Sequence, residues 1–104
     1  MHSRLTITLF ADQTGPRHEI WHALFTYRGD DLWMSLEAGW VGDAELEVTQ
    51  MLARVPHVLA DPQRLRWSLA RGSTNPLQGQ VAEVKVDEDF SLAAIDHDAD
   101  RAAA

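Results

Sequence analysis

The chain has 104 residues, with nine Lys and Arg against sixteen Asp and Glu, five His, no Cys and 45% hydrophobic residues. That length supports one domain with a single two-layer core, which excludes a multidomain enzyme carrying its own cofactor domain. The missing cysteines exclude disulfides, thiolate chemistry and cysteine zinc sites, and a net charge of -7 without a basic stripe argues against direct nucleic-acid binding.

Four Trp, three Phe and one Tyr are more than a disordered acidic tail carries, so the chain is expected to fold. The charge is concentrated at one end. From Asp87 onward there are Asp87, Glu88, Asp89, Asp96, Asp98 and Asp100 against Arg101 alone, which leaves the rest nearly neutral. Residues 1–10 hold one base and then alternate, without the continuous apolar stretch of a signal peptide, and no segment is long enough to span a bilayer. A cytoplasmic protein is the expectation.

Leu5, Ile7 and Leu9 alternate with Thr6, Thr8 and Phe10, the period of a half-buried strand over residues 3–11, and residues 12–16 end it with turn chemistry. Runs 18–27 and 32–41 flank a Gly29-Asp30 loop and predict a hairpin in which residue i faces residue 59 minus i. That register sets Tyr27, Phe25, Ala23 and Trp21 opposite Leu32, Met34, Leu36 and Ala38, all on one face. The period then changes. Ala44, Val48, Met51, Leu52 and Val55 predict a helix with Asp43 as N-cap, acids in the first turn and Pro56 as the stop. Residues 64–69 and 81–86 alternate again as two further strands, joined through loop residues 72–76.

The order β-β-β-α-β-β implies an α+β domain, an antiparallel sheet of about five strands with one main helix on one face. Residues 1–87 form this domain. Residues 88–104 are expected to be a short strand or helix followed by a frayed acidic tail. Trp21, Trp40 and Trp67 are assigned to the core.

His18-Glu19-Ile20-Trp21-His22 matches H-E-x-x-H, the zinc metalloprotease signature, in which a helix sets both imidazoles on one metal and the Glu acts as general base. Helical and strand readings of this segment exclude each other. A strand sends Glu19 to the face opposite His18 and His22, and Pro16 interrupts any helix begun earlier. Third ligands among Glu37, Asp43, His57 and His97 have no diagnostic spacing, so a zinc-dependent hydrolase is the alternative reading, and neither metal nor cofactor is called for by the leading one. Arg28-Gly29-Asp30, an integrin-binding tripeptide elsewhere, is read as turn chemistry. Ser35, Ser68 and Ser91 have no indicated His partner, and Arg64 and Arg66 are read as a solvated strand face.

The sheet face that one helix leaves uncovered carries Ile20, His22, Leu24 and Thr26 beside Trp33, Ser35, Glu37, Gly39 and Val41. So many apolar groups mark either an interface or a surface covered by Phe90, Leu92 and Ile95 of the C-terminal segment. The leading expectation is a non-enzymatic acidic binding protein. It would dock on a basic protein partner, inhibiting or neutralising it, through Trp33, Leu24 and Ile20, bordered by Glu37 and by Asp87, Glu88 and Asp89. Immunity proteins against toxins and phage inhibitors of bacterial defence nucleases share its size and charge. A homodimer meeting through the same face is a further possibility.

Overall fold

A computed structural model describes residues 3–15, 18–59, 65–69 and 80–102 of the protein. The elements run β1 (Ser3–Gly15), β2 (His18–Tyr27), β3 (Asp30–Ser35), α1 (Val41–Arg54), β4 (Ser68–Leu69), β5 (Gln80–Val86) and α2 (Leu92–Ala102). One antiparallel five-stranded sheet holds them in the order β3-β2-β1-β5-β4. The α+β architecture expected from the sequence is therefore present, with α2 as a second helix. Expected loop residues 72–76 and Arg64 lie outside the described residues.

Strand alternation builds the core. Leu5, Ile7 and Leu9 of β1, Trp21, Ala23, Phe25 and Tyr27 of β2, and Val84 and Val86 of β5 are buried together on the inner face. Against them pack Ala44, Val48, Met51 and Leu52 of α1 and Val55 just beyond it, the helical-period residues of the sequence. The C-terminal segment joins the same core, with Phe90 and Ile95 buried and the Phe90 ring edge-on to Tyr27 at 5.0 Å. Arg54 of α1 binds Asp98 of α2 through two bonds of 3.1 and 3.0 Å, tying the helices together at the surface. Both helices thus serve one face, and the C-terminal segment does not cover the other.

The β2–β3 hairpin forms, in a different register from the one expected. The loop is Arg28-Gly29, with φ of 51° and 84°, the positive values that a type I′ turn needs at both positions. Tyr27 faces Asp30, Phe25 faces Leu32 and Ala23 faces Met34, so each residue of β2 meets a partner two positions earlier than the 59-minus-i rule requires. A shift of two preserves the pleat, so every side chain keeps its face. Apolar patterning is blind to such a shift, and turn chemistry decides it. Arg28 lies 5.2 Å from the Tyr27 ring centroid and donates to Ser3 Oγ at 3.1 Å, contacts that hold the loop in place.

Five further expectations need correction. β1 runs on to Gly15 through residues where turn chemistry was expected to end it, and within 65–69 only Ser68–Leu69 form a strand. β3 ends at Ser35 instead of running to residue 41, because Glu37 and Ala38 turn towards α1, where the Glu37 N–H donates to the Glu47 carboxylate at 3.0 and 3.2 Å. Helix α1 starts at Val41, with Trp40 as an extended N-cap residue and Asp43 inside the first turn, where its charge suits the helix dipole. Trp40 is consequently not core: it is 56% exposed, its ring lying over Gly42 so closely that a Cβ there would come within 2.4 Å of it. Trp21 is fully buried and Trp67 half-buried against the core.

Candidate binding face

The outer face of the sheet can be read row by row from the strand registers. The central row is Trp33 (β3), Leu24 (β2), Thr8 (β1), Val81 (β5) and Ser68 (β4). On one side lies a polar row of Asp31, Thr26, Thr6 and Glu83, and on the other Ser35, His22 and Phe10. Phe10 and Trp33 lean towards each other over β2, with ring centroids 5.5 Å apart and planes inclined at 32°. Ile20 continues the apolar surface along β2 beyond His22. Trp33 is 60% exposed and Ile20 40%, while Leu24, paired with Trp33 across the hairpin, is half-buried.

The polar contacts described on this face are exposed. Ser35 Oγ lies 3.3 Å from His22 Nδ1, and Arg4 pairs with Glu83 at 2.9 Å across β1 and β5. A pair this open to solvent contributes under about 1 kcal/mol and is screened by salt. Around Trp33 the face combines the apolar Leu24, Phe10 and Ile20 with Asp31 on one side and His22 and Ser35 on the other.

The expected site residues divide. Trp33, Leu24 and Ile20 come together on one face. Glu37 does not join them: it lies past the end of β3 beside α1, and Gly39 and Val41 fall in the connection and the helix. Asp87, Glu88 and Asp89 follow the end of β5, six residues beyond Val81, on the order of 20 Å from the Trp33 row. There they form their own cluster, in which Asp87 Oδ2 lies 2.9 Å from His57 Nδ1 and Asp87 Oδ1 accepts the Asp89 N–H at 2.9 Å. His57, Asp87 and Asp89 have ligand atoms within 4.8 Å of one another.

A different set of acids borders the free edge of β3. Two grooves run along the inner side of β3, where it passes the helices. One, of about 600 Å³, is walled by Glu37, Asp43, Glu47 and Asp98 over Met34 and Leu46. The other, of about 540 Å³, is walled by Asp30 and Asp96 beside Leu32 and Phe90, and Asp31, whose side chain belongs to the outer face, also lines it. Among their lining residues Arg54 is the one base, and it is already bound to Asp98. The Glu47 carboxyl is held above the usual carboxylate range, chiefly by burial and in part by Glu37 beside it; backbone N–H bonds from Glu37 and Ala38 oppose this without reversing it. Glu45 is likewise raised by burial.

Sequence reasoning missed Phe10 and the acids of this seam. Phe10 was findable, because it alternates with the core residues of its own strand. Asp96, Asp98 and Glu47 were not, since only the docking of both helices beside β3 assembles them.

The H-E-x-x-H segment does not adopt the metalloprotease arrangement. It lies in β2, where Glu19 shares the face of Trp21 and accepts the indole Nε1–H at 3.0 Å, while His22 stands on the opposite face beside Ser35. A helix sets i and i+4 on one side, and a strand separates i+1 from i+4 instead. The hydrolase geometry is therefore not formed.

Compared with protein-family models, curated proteins and solved structures, the chain matches none. Among the described residues no helix is long and apolar enough to cross a membrane.

Proposed function

We propose that the protein is a non-enzymatic binding module that docks on a basic protein partner and acts by occupying it. The observation that carries this reading is the exposure of Trp33 on a sheet face that both helices leave open. A large aromatic side chain held on a sheet, packed against Phe10 and flanked by Leu24 and Ile20, is the kind of anchor that dominates interface energies. The net charge of -7 and the carboxylates along β3 favour a basic partner, accelerate encounter and disfavour self-association. Inhibition by occlusion, as immunity proteins and phage inhibitors of defence nucleases practise it, suits a domain of this size and charge.

The test is affinity capture with the wild-type chain and with Trp33→Ala in parallel, followed by titration of the captured protein. The expected result is a basic partner bound in a salt-dependent manner, with affinity falling roughly thirtyfold in Trp33→Ala. Equal binding by the two proteins, or the absence of any partner distinguishing them, overturns the reading.

A further inference from the structure

β3 is an edge strand of the sheet, and its hydrogen-bonding pattern shows which of its backbone groups have no strand partner among the described residues. The Leu36 N–H donates to the Trp21 carbonyl at 2.8 Å, which makes 21 and 36 a hydrogen-bonded pair. Antiparallel pairs alternate, so 23 with 34, 25 with 32 and 27 with 30 also bond, while 22 with 35, 24 with 33 and 26 with 31 do not. Asp31, Trp33 and Ser35 therefore turn their N–H and C=O groups away from β2, towards the open edge. Charge at an edge usually discourages strand addition, yet Leu32, Trp33, Met34 and Ser35 carry none.

Any strand laid on this edge runs about 4.8 Å from β3 and alternates its side chains between two different surfaces. On the outer side they meet Trp33, the exposed apolar anchor. On the inner side they overhang the two acid-walled grooves, where Glu37, Asp43, Glu47, Asp98, Asp30 and Asp96 have only Arg54 among them as a base. Long cationic side chains fit the inner positions and apolar ones the outer. A second copy of this chain fits poorly, because it brings another -7 and its own Asp30 and Asp31 to the same edge.

Building on the proposed basic partner, we propose that β3 accepts an extended segment of that protein as a sixth strand, with Lys or Arg alternating with apolar residues. Main-chain bonds to Asp31, Trp33 and Ser35 supply the affinity, and the grooves select the charge.

The probe is a fluorescein-labelled nonapeptide of alternating Val and Lys, with a block-ordered peptide of the same composition as control, read by anisotropy. Ser35→Pro removes one edge-facing donor and leaves the β2 ladder intact, a position where a strand tolerates proline. The alternating peptide is expected to bind the wild-type chain, to lose about tenfold in affinity on Ser35→Pro, and to bind several-fold more weakly to Glu37→Gln/Glu47→Gln. Amide exchange supplies a readout on the unmodified chain: peptide should slow the N–H groups of Asp31, Trp33 and Ser35 and leave those of Leu32 and Met34 unchanged. Equal binding of the block peptide, unchanged binding by folded Ser35→Pro, or no added protection at these three amides overturns strand addition. A dimer of the isolated chain that Ser35→Pro dissociates overturns it as well, by giving the edge to a second copy. The two proposals also fail separately. Partner capture lost with Trp33→Ala but kept with Ser35→Pro sinks the edge and keeps the face, whereas no partner at all sinks both.

Discussion

Phe10 and Trp33 stand on strands that are not neighbours, yet their ring centroids are 5.5 Å apart because both lean over β2 between them. This contact packs side chains of two non-adjacent strands against each other on the outer face. It also separates the energetics of Trp33 from those of Trp21, two strand tryptophans on opposite faces of the same hairpin.

Trp33→Ala is expected to lower the unfolding free energy by no more than about 1.5 kcal/mol, the scale of an aromatic pair with a partly exposed member. Trp21→Ala, which empties a fully buried site, should cost about 3–5 kcal/mol. Denaturant unfolding of both variants and of Phe10→Ala/Trp33→Ala measures this. A loss at Trp33 as large as that at Trp21 makes Trp33 a core residue and removes the basis of the proposed interface.

Ile95→Ala should cost about 2–4 kcal/mol, because Ile95 is fully buried between α2 and the sheet. Removal of residues 88–104 should be more damaging, since Phe90 goes with it and Tyr27 loses its edge-on partner. Thermal melting of the two proteins decides the matter. A truncated chain as stable as the intact one contradicts the packing of α2.

Gly29→Ala is expected to lose about 1 kcal/mol purely from the backbone. The φ of 84° penalises an L side chain, whereas the space around its Cβ is open. Partner affinity should be unchanged, since the turn lies away from Trp33. Equal stability of variant and wild type would mean that the loop is not the Arg28-Gly29 type I′ turn.

The pH dependence at Glu47 has a definite sign. Its folded-state pKa is raised, chiefly by burial, so the fold favours the protonated form. The stability linked to this group is fully present below about pH 4.3, its unfolded value, and is lost as pH rises through the higher folded value. Glu47→Gln should therefore gain on the wild type between pH 4 and pH 7 while keeping an acceptor for the Glu37 N–H. Paired denaturation curves at the two pH values test this, and a relative gain for the wild type on raising the pH contradicts it.

Local periodicity was enough to read the element types and the two faces of each strand. Leu5, Ile7 and Leu9, the alternation from Trp21 to Tyr27, and the spacing of Ala44, Val48, Met51 and Leu52 all mark buried residues, because a pleat or helix repeats at a set period whatever its neighbours do. The same alternation places Trp33, Leu24 and Ile20 together on one face. Periodicity carries no information about a register shift of two, which leaves each side chain on the same face, so the choice of Arg28-Gly29 over Gly29-Asp30 belonged to the turn and to the contacts of Arg28 with Tyr27 and Ser3. It is equally silent about where a strand stops. Ser35 became the end of β3, and Trp40 a surface residue, through the docking of α1. Which face α2 would join, and hence that Glu37, Glu47, Asp96 and Asp98 would border the free edge while Asp87 to Asp89 would not, depended on long-range packing of Ile95 and Phe90 into the core. Burial of those two side chains is a property of the assembled layers, and no local pattern in residues 88–104 encodes which layer receives them.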